Sequence, residues 1–312
     1  MKPEELTPHL GKISLAVGAV RSRDLQMFAV FNDELSREKH PHTRLFQRYQ
    51  GNLGQVDLNW TASSLSVCGV PKHQFIAISE EGFVLVHGSG ESIEEPEVDT
   101  ALAQDEGPEN RGPLREVRGI AGGKAYAVGT ARQAYRRDAP GRWVRIDQSA
   151  QGGTEKIWEK SFNSIDGFSE TDIYAVGWDG EIWSYDGAAW SQIASPTNVA
   201  LYRVRCAADG NVYACGQAGV LLRGRDRSWE VVDHRATEED FWWLEYFNGK
   251  LYVCSMNSLY ELDGDDLRTT DFGECAPPAT CYCLSAADGL LWSVGAKNIV
   301  EYDGKQWKTV IG

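Results

Sequence analysis

Carboxylates and tryptophans recur together in the irregular stretches of this sequence. Between Glu94 and Glu109 stand Glu94, Glu95, Glu97, Asp99, Asp105, Glu106 and Glu109, with no Lys or Arg among them. Glu238, Glu239 and Asp240 precede Trp242, Asp179 follows Trp178, and Trp158 lies in another irregular run. Such pairs suit a protein hot spot, where indole supplies buried area and the acids select a basic partner. They also suit a sugar, with indole as the platform and carboxylates accepting from hydroxyls. Paired carboxylates can hydrolyse a glycosidic bond. Asp166, Asp179, Glu181 and Glu239 are the members such a pair would draw on, but no spacing selects them.

Other catalytic signatures are missing. The chain has no G-x-S-x-G, H-E-x-x-H, phosphate-binding loop or dinucleotide-binding glycine pattern in its required context. His40 and His42 form an HPH step that could begin a metal site, yet no third ligand is identifiable, so they read as loop residues. The seven cysteines are Cys68, Cys206, Cys215, Cys254, Cys275, Cys281 and Cys283. Most sit in apolar runs such as VYACG and LYVCS without a C-x-x-C pair, the pattern of reduced, buried thiols. No cofactor or metal is expected.

The formal net charge of −14 opposes nucleic acid and anionic membranes, because phosphate binding needs a basic patch. It suits a basic protein partner, which the field would steer into contact. No apolar run is long enough for a membrane-spanning helix. The polar start MKPEELTPHLGK lacks the basic-then-apolar layout of a secretory signal, so a cytoplasmic protein is expected.

The elements that must carry these residues repeat. Tyr126, Tyr174, Tyr213, Tyr252 and Trp292 mark strands such as DIYAVG at intervals of 48, 39, 39 and 40 residues. Trp143, Trp190, Trp229, Leu267 and Trp307 mark a later strand at intervals of 47, 39, 38 and 40. Two independent markers keep one beat, which is a strong repeat signal. Each unit holds four short alternating or apolar runs. Asp-Gly or Asn-Gly turns such as Asp209-Gly210, Asn248-Gly249, Asp288-Gly289, Asp186-Gly187, Asp263-Gly264 and Asp303-Gly304 join them. Those dipeptides suit tight hairpins, since both central residues tolerate positive φ. Four antiparallel strands per repeat of about 40 residues make a β-propeller blade. Five blades are clear over 114–312 and two fainter ones occupy 11–98, with Phe28 and Phe75 at the marker position. The expectation is an all-β, seven-bladed propeller forming one domain over 1–312, with six blades as the alternative. The last blade supplies its own outer strand, QWKTVI, while residues 1–10 are placed to latch across the seam.

Alternating strand direction puts the second-to-third turns and the links between blades at one end of the blades. The long segments 31–43, 94–113, 147–160, 233–240 and 271–280 all fall there, marking that end as the binding face. The acidic inter-blade segment 94–113, poor in apolar residues, is expected to be mobile. Trp242 and Trp243 are adjacent on a predicted strand, so they should point opposite ways.

The pattern "DIYAVG…DG.I..YDG..W" resembles bacterial propeller repeats of the BNR-like, sialidase-like and photosystem-assembly-factor class. The resemblance covers the skeleton from Leu114 onward. It carries no catalytic residue, because the intact Asp-box of sialidases is not present. The reading is a non-catalytic, protein-binding propeller. In its specific form it is an immunity protein that binds and neutralises a secreted bacterial toxin through the loop-rich acidic face. The alternatives are a carbohydrate-active propeller and an assembly or scaffold factor. Trp178-Asp179 stands alone, while the corresponding turns read GQAG, SMN and GAK, which counts against a multivalent lectin.

Overall fold

The structure, a computed structural model, describes residues 1–151 and 156–312. Residues 152–155 of the predicted 147–160 loop lie outside the described residues. The strands form seven four-stranded antiparallel sheets, each built from four consecutive strands. Blades 1 to 7 span 13–58, 62–95, 114–145, 162–193, 201–231, 243–269 and 283–311. Seven blades are therefore present, not six.

The chain divides into two compact units. One comprises Met1–Ala62, His234–Thr237 and Phe241–Gly312, and the other Ser63–Asp233 with Glu238–Asp240. The first carries blades 1, 6 and 7, and the second blades 2 to 5.

The repeated aromatics are the reason the pattern recurs. Phe28, Phe75, Tyr126, Tyr174, Tyr213, Tyr252 and Trp292 are all buried, one per blade, at 5% exposure or less. Tyr126 clusters with Phe162 and Ile165 of blade 4, Tyr174 with Leu201 and Val204 of blade 5, and Tyr252 lies 6.4 Å from Trp307 of blade 7, so a large rigid ring fills the space between those sheets. Trp190, on the outer strand of blade 4, packs 5.1 Å from both Phe162 and Tyr185 and donates its indole N–H to the Ile146 carbonyl at 3.0 Å.

The turns obey two rules rather than one. Asn248-Gly249 and Asp288-Gly289 take positive φ at both positions, as expected (49° and 83°, 51° and 67°). Asp186 and Asp303 instead close their turns with the side chain. The Asp186 carboxylate accepts from the amides of Ala188 and Ala189, both at 2.8 Å. That of Asp303 accepts from Lys305 and Gln306 at 2.9 and 3.0 Å. These amide hydrogen bonds hold both carboxyls below their ordinary range.

Polar side chains on the first strand of one blade register the first strand of the next. In the second unit, Ser64 and Ser66 accept from the amides of Val117 and Gly119. Glu116 accepts from Ile165, Ser164 from Val204 and Asp166 from Cys206. A short acceptor thus satisfies a backbone donor that no sheet ladder reaches.

The glycine of the AVG and ACG motifs has a separate cause. At Gly177 an added Cβ would lie 1.7 Å from the Ser161 carbonyl oxygen, and at Gly216 it would lie 2.0 Å from that of Ala200. The link entering each blade crosses directly over this position. Gly177→Ala is expected to cost about 2–3 kcal/mol, measured by urea unfolding, because backbone rather than a flexible side chain must move.

Within the first unit the last blade packs against the first, with Val20 donating its amide to Ser285 Oγ at 3.0 Å. Trp307–Ile311 pairs with Ile299–Tyr302, so blade 7 does supply its own outer strand. The N-terminal 3-10 turn Pro3–His9 packs on that strand, while the Met1 carbonyl accepts from Leu53 of blade 1. Leu6 is buried beneath it. The latch predicted for residues 1–10 is thus a real contact across the seam.

Candidate protein-binding site

The second unit gathers most of the predicted residues at the loop end of its blades. The WDG turn Trp178–Gly180 joins the second and third strands of blade 4. Asp179 sits at φ 56°, a left-handed conformation that Asp tolerates better than most residues. Its carboxylate accepts from the Lys160 ammonium at 2.7 Å, and this contact raises the Lys160 pKa. Trp178 is half-buried.

Beneath this pair lies a drier one. Glu181 takes two hydrogen bonds from Arg132, at 2.8 and 2.5 Å, and both side chains are about 5% exposed. Arg132 also donates to the Ala150 carbonyl and lies 4.9 Å over the Trp183 ring. These contacts stitch the turn of blade 3, the following link and the turn of blade 4 together. Trp158 stands on that base. Its turn, Ile157–Glu159, ends at Lys160, whose carbonyl accepts from the Ala131 amide at 2.8 Å. The indole is 63% exposed, more than any other large apolar side chain among the described residues.

The segment expected to be mobile is pinned. Val98 is fully buried among Cys68, Ile76, Val84 and Tyr135, and Leu102 packs against the same cluster. Glu94 and Glu95 belong to the outer strand Glu91–Glu95 rather than to a loop. Glu95 is no landing site for a partner, because its carboxylate is 4% exposed and doubly bonded to the buried Arg137. Asp99 is partly buried, which pushes its carboxyl up. Glu106 reaches Arg145 at 3.0 Å. Arg145 and Arg111 converge on Asp147, which is wholly buried and also accepts from the Ala134 amide. Two links are thereby tied together. Glu94, Glu97, Asp105 and Glu109 remain exposed.

Glu238 and Glu239 are exposed. Asp240 instead holds structure, accepting from the Ala218 amide at 2.8 Å and from Tyr202 Oη at 3.3 Å. Trp242 lies in the first unit and is 38% exposed, whereas Trp243 is buried, so the two indoles do point opposite ways. His42 uses both ring nitrogens internally: Nε2 accepts from the Asn32 amide and Nδ1 donates to the His40 carbonyl, each at 2.7 Å. The HPH step is therefore spent on its own loop. Sequence reasoning missed Arg132, Lys160, Arg145 and Arg137, the cations that decide which acids stay available.

No family model matches the chain. It is 41% identical over 316 residues to Immune protein Tsi7 of Pseudomonas aeruginosa strain PAO1, covering 98% of this chain and 99% of that protein. The chain belongs to the family of Immune protein Tsi7. It is an immunity protein by family, on a propeller scaffold. Two solved structures share the fold over most of its length. The WD40 β-propeller domain of Doa1 aligns with a TM-score of 0.67 at 11% identity, covering 92% of each chain. YCF48 bound to D1 peptide aligns with a TM-score of 0.65 at 14% identity, covering 93% of this chain and 91% of that one. The YCF48 likeness agrees with the expected photosystem-assembly-factor style of repeat, and the family agrees with the expected immunity role.

Proposed function

We propose that this protein neutralises a toxin without catalysis, by clamping a basic toxin against the acidic loop end of blades 2 to 5. The observation that carries this reading is Trp158, an exposed indole on a base braced by a buried ion pair and next to the exposed Glu159. A hot spot needs such an anchor, pre-positioned so that little entropy is lost on binding. Glu97, Asp105, Glu109, Glu238 and Glu239 supply the acidic surround. A non-enzymatic role is supported by the fate of the carboxylates that hydrolysis would need. Asp179 faces Lys160, Glu181 faces Arg132 and Asp166 faces Arg118, so each is engaged in an ion pair of the fold. A cytoplasmic setting suits the thiols. Cys68, Cys215, Cys254, Cys281 and Cys283 are buried, and burial pushes the Cys281 thiol up to about 11.

The test is capture of partners from the native host, with identification by mass spectrometry, beside a Trp158→Ala variant and a variant with Glu97, Asp105 and Glu109 changed to Gln. One basic, stoichiometric partner is expected, toxic when expressed alone and harmless with this protein. Trp158→Ala should weaken binding by about 2 kcal/mol, roughly thirtyfold. The Gln variant should chiefly slow association and flatten its salt dependence. Unchanged affinity in both variants would move the interface elsewhere.

A further inference from the structure

In the second unit the turns between the second and third strands align residue for residue. The Ser79 amide donates to the Phe83 carbonyl, that of Gly177 to Glu181 and that of Gly216 to Val220, each at 3.0 Å, while Gly129 faces Gln133 in its ladder. The residue before the closing position is therefore Gly82 in blade 2, Gly180 in blade 4 and Gly219 in blade 5. All three take a left-handed φ, at 100°, 70° and 71°. In blade 3 the same position holds Arg132 at φ 50°, preceded by Ala131 at 57°. Both are buried, and neither is glycine, so two consecutive Cβ atoms crowd their own backbone. Strain kept where three sister turns avoid it points to a task for the side chain.

That task is visible in what Arg132 reaches. At Gly180 an added Cβ would lie 2.2 Å from the Thr197 carbonyl oxygen, so the link after blade 4 leaves no room for a side chain. The link after blade 3 does leave room, and Arg132 donates to its Ala150 carbonyl at 3.1 Å. The rest of the guanidinium forks onto Glu181, whose equivalent in blade 5 is the apolar Val220. Glu181 Oε1 in turn lies 3.5 Å from the Lys160 ammonium. Lys160 closes the Trp158 turn, its amide donating to the Ile157 carbonyl at 3.0 Å and its carbonyl accepting from Ala131. The strained pair therefore grips this turn twice, Ala131 through the backbone and Arg132 through Glu181.

We propose that Arg132 is a positioning residue of the toxin-binding site. The blade 3 turn retains strain so that the Arg132–Glu181–Lys160 chain fixes the exposed Trp158 indole before a toxin arrives. The proposal rests on the toxin-binding reading above and goes beyond it, because Arg132 is 4% exposed and acts only through Trp158. An anchor held in place loses less freedom on binding than one that must be ordered. Stability and affinity should then part company when the brace is removed.

The experiment combines Arg132→Gly with Glu181→Val, which copies the Gly219-Val220 step of blade 5. The change relieves the left-handed arginine and leaves no buried charge alone, since Lys160 keeps Asp179. The thermal midpoint should stay within about 4 °C of the parent. The amides of Glu159 and Lys160 should exchange hydrogen about tenfold faster in the free chain. Affinity for the purified partner captured by the parent chain should fall about tenfold, with no further loss when Trp158→Ala is added. Affinity within about twofold of the parent, unchanged exchange, or a loss fully additive with Trp158→Ala overturns the proposal and leaves toxin binding intact. A midpoint lowered by more than about 4 °C also overturns it, by making Arg132 a stabilising residue of the fold. Failure of the parent chain to hold any partner would instead overturn the toxin-binding reading, while exchange in the free chain would still decide whether Arg132 holds the Trp158 turn.

Discussion

Arg137→Ala is expected to lower the free energy of unfolding by about 3–5 kcal/mol, measured by urea denaturation at neutral pH. The Arg137 side chain is fully buried and that of Glu95 is 4% exposed. The guanidinium spans both oxygens of Glu95 and donates to the Val70 carbonyl at 3.0 Å, while Glu95 also accepts from the Gly141 amide at 3.0 Å. Removing the cation strands a dry carboxylate and a carbonyl together. The energy lies in that stranding rather than in the net worth of the pair, so Arg137→Met combined with Glu95→Leu should recover most of the loss. A loss below about 1 kcal/mol for the single change would contradict the buried pair. Partner affinity of the folded Glu95→Leu, Arg137→Met protein should match the parent. That outcome would separate Glu95 from the acids expected to meet a partner.

Glu116→Gln is expected to cost about 3–5 kcal/mol at neutral pH, and that cost should depend on acidity. Burial alone would push the Glu116 carboxyl up, but the guanidiniums of Arg205, Arg203 and Arg118 prevail and hold it below the ordinary value of 4.5. Arg205 lies 3.3 Å away through both terminal nitrogens. A group with a lowered folded pKa stabilises fully above its unfolded value, and that contribution is lost as pH falls through the folded value. The gap between parent and variant should therefore stay constant from neutral pH down to the ordinary glutamate range. Below that range it should narrow as the parent carboxylate takes up a proton. Unfolding curves collected down to about pH 2 test this. A gap independent of pH throughout would show that folding does not shift the Glu116 carboxyl.

The legible part of the site was its inventory. Trp158 and the exposed acids Glu97, Asp105, Glu109, Glu238 and Glu239 lie where strand alternation put them, at the loop end of their blades. The availability of each acid was not legible. Glu95 meets Arg137 at 42 positions' separation, Glu106 meets Arg145 at 39, and Glu181 meets Arg132 at 49. Those separations are about one blade, so no local pattern distinguishes a spent carboxylate from an open one. The expected mobility of 94–113 failed for a related reason. Val98 enters the core of a neighbouring sheet, Leu102 packs against it and Pro108 is buried, and a few such side chains among many polar ones barely alter composition.

The blade count, the buried aromatic of every second strand and the end carrying the long segments followed from sequence alone. Their causes are local, since side chains alternate along a strand with period two and turn dipeptides act within four residues. Tertiary structure alone decided which charges cancel and which tryptophan stands clear. These depend on the distance between residues one or more blades apart, and only packed sheets set that distance.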